Sequence, residues 1–252
     1  MVVALVWLSL WNSGDLFPGL MPDVSPVEDL KRSLPSDSFW PWRSPCKAGL
    51  AGTKSILWSP SFIFLTLSYT LEGYAGNIFV FWFYLYLVQV RHFDLLRAGR
   101  LSSLPWLLCI VSIPMGGIVS DYLVTGFLGS CWGRRVVPMT GLTLSGILLA
   151  LGAQTANANA AVVYFTLATA FVLSAEGPFW ATMVDLAGPH SGTAGGVMNC
   201  GSNIGGMLSP LLTPIMAAYM GWKNALDVGA AIALVSAGLW LGVSSMSQER
   251  LG

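Results

Sequence analysis

Residues 176–214 read EGPFWATMVDLAGPHSGTAGGVMNCGSNIGGMLSPLLTP, and their reading decides the fold. A carboxyl at Glu176, amides at Asn199 and Asn203 and a dense set of glycines lie inside otherwise oily sequence, with a short polar break over residues 185–191. Water-soluble cores rarely need that mixture, whereas membrane helices that close around a polar path often do. Gly192, Gly196, Asn199, Asn203 and Gly206 recur at steps of three or four, which places them on one helical face. Gly201 and Gly205 sit beside that face and let a neighbouring backbone approach closely. The face admits two readings: a packing seam with its amides bonded across helices, or a polar wall on which Asn199 or Asn203 meets a ligand. Pro210 and Pro214 each remove a backbone donor and predict a bend.

Composition supports a membrane setting. The 252-residue chain is 54% hydrophobic and 10% charged, with a mean hydropathy of +0.66. A soluble domain carries about 25% charged residues. Twelve basic and twelve acidic residues cancel, so the charge balance points to no acidic or basic partner and argues against nucleic acid. Cys46, Cys109, Cys131 and Cys200 are scattered without metal spacing and read as small hydrophobes, so no metal or cofactor is expected. His92 and His190 are isolated at the flanks of apolar runs. There is no HExxH, GxSxG, aspartate-rich pair or serine–histidine constellation in those runs, so the expectation is that the chain is not an enzyme and has no catalytic residues.

Residues 1–11 are apolar but lack the basic start and cleavage site of a signal peptide. They supply about half of the roughly 20 residues that a spanning helix needs, and are expected to be the tail of a truncated span. Residues 12–60 form a proline-interrupted, charged connector, with Trp40 and Trp42 suited to a membrane interface. Six apolar segments follow, at about 62–90, 101–120, 136–153, 160–184, 193–220 and 225–243, within a block at 61–246 and before a tail at 247–252. The fold class expected is therefore all-α and integral to the membrane, a six-helix bundle. The connector, the loop with Arg134 and Arg135, and the tail hold eight basic residues against four on the opposite side (Arg91, Arg97, Arg100 and Lys223). That bias puts the connector and C-terminus in the cytoplasm.

Polar groups inside the segments are few. A mid-membrane carboxyl costs about 2.5–3.5 kcal/mol on the insertion scale, so Glu176 is expected to face protein or water. Glu72 shares its helix face with Ser68 and Gly76, and Asn77 lies close by. Tyr69, Tyr74, Trp82, Tyr84 and Tyr86 make the first segment rich in rings that can stack on or bond a ligand. No Lys or Arg lies in any of the six segments, so the countercharge for an anionic ligand must come from elsewhere.

Gly116-Gly117-x-x-Ser120-Asp121 followed by Gly133-Arg134-Arg135 resembles the cytoplasmic-loop motif of the major facilitator superfamily. Tyr122 stands where that motif has a basic residue, and about eleven residues separate its two parts. Glu176-Gly-Pro-Phe-Trp180, Ser191 to Asn199, Asn203-Ile-Gly-Gly-x-x-Ser209-Pro210 and Gly221-Trp222 are similar to the C-terminal half of that superfamily's anion:cation symporter branch, the group of phthalate, hexuronate and galactonate permeases. The resemblance covers about residues 55–247. It implies one half of a twelve-helix carrier in the plasma membrane that moves a small organic carboxylate with a proton by alternating access. By the same likeness Asn199 or Asn203 would contribute the amide of the carboxylate site, and Glu176 looks like the counterpart of a glutamate in the other half. The residues themselves add Tyr69, Asn77 and Trp180 as candidate substrate contacts, and Glu72 with Glu176 as a proton-coupling or polar network. The cytoplasmic loop motif would be Gly117, Asp121, Gly133, Arg134 and Arg135. The expected partners are the lipid bilayer, the anion and proton, and a missing N-terminal half or a second copy. The competing expectation is a subunit or remnant that inserts and packs without transporting.

Overall fold

A computed structural model describes residues 50–126 and 128–244. The expected truncated span, most of the connector with Trp40, Trp42 and Cys46, and the 247–252 tail lie outside the described residues. Those described form helices: α1 Leu50–Leu57, α2 Pro60–Gln89, α3 Leu95–Ser102, α4 Leu104–Thr125, α5 Gly129–Gln154, α6 Ala158–Leu173, α7 Glu176–Ala187 and α8 Ser191–Leu239. Among them there is no β-strand. Four helical stretches are long and apolar enough to cross a bilayer: Pro60–Gln89, Leu95–Thr125, Trp132–Gln154 and Ala158–Gly242. The protein is an all-α, multi-pass membrane protein.

Local chemistry sets the boundaries. Ser59 caps α2 by accepting from the Phe62 N–H, and Pro60 sits where no N–H is needed. Asn157 caps α6 by accepting from the Asn159 and Ala160 N–H groups. Asp94 caps α3, a short amphipathic helix in what sequence reading took as loop. Hydropathy also ends α4 and begins α5 in the wrong places. These helices run to Thr125 and from Gly129, so Gly133, Arg134 and Arg135 are helical rather than loop residues. A helix can carry charge at its end while an apolar window stops where the charge begins. The fourth apolar segment is likewise broken at Ser174–Ala175, because Pro178 has no N–H to give to the Ser174 carbonyl.

The Ala158–Gly242 stretch is 85 residues long. As one straight helix it would measure about 130 Å against a hydrocarbon core of about 30 Å. Positive φ angles at Gly188 (49°) and Gly221 (83°) break it. Helical backbone continues through Pro210 and Pro214, and Gly221 takes φ 83° and ψ 156°, a conformation essentially reserved for glycine. Open space surrounds Gly221, so Gly221→Ala isolates backbone strain from crowding. It is expected to cost about 1–3 kcal/mol and to lower the melting temperature in detergent. Gly192→Ala, in equally open space but helical, should leave it unchanged or slightly raised.

Close contacts give the direction of each helix. Residues 201, 205 and 206 of α8 lie against 66–70, 70–74 and 77 of α2, so this arm runs parallel to α2. Beyond Gly221 the order reverses: Gly229 meets Ile78, Ser236 bonds Ser68, and Gly242 meets Phe64. Antiparallel pairing also joins α5 to α6, through Gly141 with Phe171 and Gly152 with Phe165. Ser120 donates to the Gly133 carbonyl where α4 meets α5. Successive long segments therefore alternate in direction, and Ser61, Asp121, Arg134, Asp185 and Val243 share one end of the bundle. The core is apolar, centred on Phe62, Leu65, Phe79, Phe165, Phe179, Met198 and Trp240. Many large apolar side chains also point outward, α4 alone exposing Leu107, Ile110, Val111 and Ile118, as a lipid-facing surface requires.

Candidate functional site

Three helices meet where the polar residues gather. Glu176 opens α7, immediately after the Ser174–Ala175 break, and a carboxylate in a first helical turn complements the helix dipole. Gly177 brings this turn against α4, since a Cβ there would lie 3.0 Å from the Gly117 Cα. On α2, Tyr69 is buried and its hydroxyl donates to Glu176 Oε2 at 2.9 Å. Trp180, one turn beyond Glu176, donates its indole N–H to that same hydroxyl at 3.2 Å. The order Trp180 to Tyr69 to Glu176 orients the carboxylate from one side. Phe179 packs on the Tyr69 ring with centroids 4.8 Å apart and holds it in place.

Beside this chain of bonds lies a cavity of about 170 Å³, lined by Glu72, Gly73, Gly76, Asn77, Val80, Trp106, Thr169, Leu173, Glu176 and Ser202. Glu72 is 3% exposed and makes no hydrogen bond to any described residue. Asn77 gives its amide N–H to the Gly73 carbonyl at 2.8 Å, which leaves its Oδ1 free to accept. Thr169 donates to the Phe165 carbonyl at 2.8 Å and keeps its lone pairs. Ser202 reaches the cavity because α8 lies on α2 at Gly73, where a Cβ would fall on the Ser202 carbonyl oxygen.

The predicted site residues separate into two places. Tyr69, Trp180, Glu72, Asn77 and Glu176 come together as described. Asn199 and Asn203 do not enter the cavity; both are exposed on α8, and Asn203 donates to its own helix at the Asn199 carbonyl, 2.8 Å away. Gly192 and Gly196 share that exposed face, while Gly201 and Gly205 form the seam against α2. The amides are thus not bonded across the seam. Ser68 also departs from its expected place next to Glu72. It exchanges two hydrogen bonds with Ser236 on the far arm of α8, at 2.9 and 2.8 Å. Sequence reading missed Thr169, Ser202 and Trp106, each from a different helix; only Ser202, next to Asn203 on a glycine-rich turn, carried a signal.

The two parts of the Gly117–Asp121 and Gly133–Arg135 motif meet in space. Arg134 pairs with both Asp121 and Asp185, the latter at 3.0 Å, and so ties the ends of α4 and α7 to the start of α5. Arg135 donates to the Val243 carbonyl at 2.6 Å and lies over the Trp132 ring. At the opposite end Arg91 caps α5 through the Gly152 carbonyl at 3.0 Å, and Arg97 bonds Asn159.

Polar and ionisable groups gathered between lipid-facing helices mark a candidate functional site in a membrane protein. No protein-family model matches the chain. It is 34% identical over 142 residues to the probable sulfoacetate transporter SauU of Cupriavidus necator, covering 56% of this chain and 33% of that one. Against the hexuronate transporter of Bacillus subtilis it is 26% identical over 226 residues, 88% of this chain and 50% of that one. Against the probable galactarate/D-glucarate transporter GudP of Escherichia coli it is 32% identical over 166 residues, 63% of this chain and 36% of that one. The chain is a homologue, over part of their length, of these named transporters. It spans half or less of the length of each of these curated relatives. They are named as transporters rather than enzymes.

Proposed function

We propose that this chain is the carboxyl-terminal, six-crossing half of a twelve-helix carrier for a small organic anion, a carboxylate or sugar acid, moved by alternating access with a proton. The observation that carries this reading is the Trp180–Tyr69–Glu176 chain of hydrogen bonds beside a polar cavity, in a chain homologous to sugar-acid transporters. Six crossings accord with the alternating helix directions and with breaks at Gly188 and Gly221. Substrate lies between the two halves of such carriers near the midplane. The exposed amides of Asn199 and Asn203, with the half-exposed Trp180 edge, form one wall of that path. A facing half supplies the second wall and the cation that meets the anion, since no Lys, Arg or His lines the cavity.

In this reading the bundle end with Arg134 and Arg135 faces the cytoplasm of a plasma-membrane carrier, and the C-terminus with it. Arg91 and Arg97, which count against that orientation, are engaged in capping and bonding neighbouring helices.

The test is uptake of radiolabelled glucuronate, galactonate and sulfoacetate into proteoliposomes with an imposed inward proton gradient. The chain is reconstituted alone and together with the first six-helix half of the Bacillus subtilis relative. Paired halves are expected to accumulate at least one anion and the chain alone to stay at background. Asn203→Ala and Trp180→Ala should each slow paired uptake about tenfold, equivalent to about 1.4 kcal/mol. Absence of uptake from the paired halves, or rates untouched by Glu176→Gln and Asn199→Ala, would instead identify a subunit that only inserts and packs.

A further inference from the structure

We infer that α3 is a docking surface for anionic phospholipid, with Arg97 and Arg100 on the lipid phosphate and Leu95 and Leu96 among the acyl chains beneath it. The length of the next helix sets the level. With 22 residues α4 measures about 33 Å and already crosses a hydrocarbon core of about 30 Å. The helical stretch that joins α3 to α4, Leu95–Thr125, has 31 residues and would measure about 46 Å. Its first turns, which are α3, therefore fall in the headgroup layer. Aromatic rings at the same end mark that level independently. Trp82 packs on Trp222 with centroids 5.7 Å apart, Tyr86 stands 6.2 Å from Trp222, and Tyr219 near the Gly221 turn is fully open. Trp and Tyr gather at membrane–water interfaces because they join an apolar body to a polar edge.

Within that layer α3 has three sectors. Ala98 is buried against the bundle and Leu101 is half-buried. Leu95 and Leu96 are 67% and 71% exposed, and the exposed Arg97 and Arg100 follow on the adjoining side. Two adjacent leucines this open gain nothing in water, whereas an apolar edge beside a basic one suits a helix seated between acyl chains and headgroups. The Arg100 side chain makes no hydrogen bond, ion pair or ring contact with any described residue. Arg97 lies over the Phe93 ring at 4.6 Å and gives one N–H to Asn159 Oδ1 at 3.0 Å, which steadies its guanidinium and leaves its other side-chain N–H groups unbonded. Arg91 is already bonded to the Tyr86 hydroxyl and the Gly152 carbonyl. The one acid in residues 91–100 is Asp94, whose carboxylate caps α3 by accepting from the Arg97 backbone N–H. The adjoining turn between α5 and α6, residues 154–159, is uncharged. Phosphate is the anion that a headgroup layer offers, and a guanidinium can hold it through two parallel N–H bonds.

This surface does not depend on the transport reading, because lipid binding is measured on the chain alone. The full chain, purified in maltoside detergent, is given equal amounts of dioleoylphosphatidylglycerol and dioleoylphosphatidylcholine, and the retained lipids are counted by native mass spectrometry. Phosphatidylglycerol is expected to be retained several-fold over phosphatidylcholine and to raise Tm saturably, with the preference weakened by high salt. Arg100→Gln should cut the preference about fivefold, the loss expected per basic residue at an anionic surface. It should leave the lipid-free melt unchanged, because the Arg100 side chain bonds to nothing in the bundle. Adding Arg97→Gln should abolish the preference, and Arg100→Gln alone carries the test if the double variant does not fold. Leu95→Ser with Leu96→Ser should lower retention of both lipids alike. Equal retention of the two lipids by the wild-type chain, or a preference unchanged in folded Arg100→Gln protein, overturns the docking surface. So does a dimer in the same spectra that the leucine substitutions dissociate, which would assign the face to a second copy.

Discussion

Gly205→Val is expected to unfold the bundle or leave it aggregated after detergent extraction. A Cβ at Gly205 would fall on the Thr70 carbonyl oxygen, and it would also stand 3.0 Å from the Tyr74 backbone nitrogen. Both neighbours are helical backbone, which cannot turn aside as a side chain can. The substitution therefore separates α2 from α8 along the seam that also includes Gly73 and Gly201. In membranes, where apolar side chains gain nothing by leaving lipid for protein, close backbone packing is a main source of helix association. The loss should exceed about 4 kcal/mol, in the range reserved for core disruption. Size-exclusion profiles and thermal melts of the solubilised protein read it directly. Gly196→Val is the matched control. It lies on the same helix with nothing within 4 Å, and only the propensity difference of well under 1 kcal/mol applies. Equal behaviour of the two variants would contradict the seam.

Tyr69→Phe should destabilise the protein by about 2–4 kcal/mol, because one oxygen serves two partners and both are left with a bond unmade. The Glu176 carboxylate loses the Tyr69 donor and the Trp180 N–H loses the Tyr69 acceptor. The ring itself stays, so its contact with Phe179 and the volume of the core are conserved. A melt in detergent measures the cost, and a shift in tryptophan emission reports the freed indole. Tyr84→Phe removes the hydroxyl of an exposed side chain that makes no hydrogen bond to the described residues, and it should be silent in both. In the paired-half uptake assay Tyr69→Phe is expected to lower the rate more than its stability loss explains, because Glu176 is then free to rotate. An unchanged melt and emission spectrum would show that the Tyr69 hydroxyl does not hold Glu176.

Much of this architecture was written locally. Apolar length, low charge and the absence of alternation specify helices that live in lipid, and the steps of three and four on α8 placed Asn199 and Asn203 on one face with Gly201 and Gly205 beside them. Those properties belong to single helices and to the solvent around them. The helix ends were less legible, since Arg134 and Arg135 are both polar enough to end an apolar window and good helix formers, and only their ion pairs and caps decide between the two. What tertiary structure alone decided is the company each polar residue keeps. Glu176 meets Tyr69 across 107 positions of sequence, and Glu72 faces Thr169 and Ser202 rather than its helix neighbour Ser68. Periodicity assigns a residue to a face of its own helix. Which neighbour covers that face depends on where the glycines let backbones touch and where Gly221 turns the chain back.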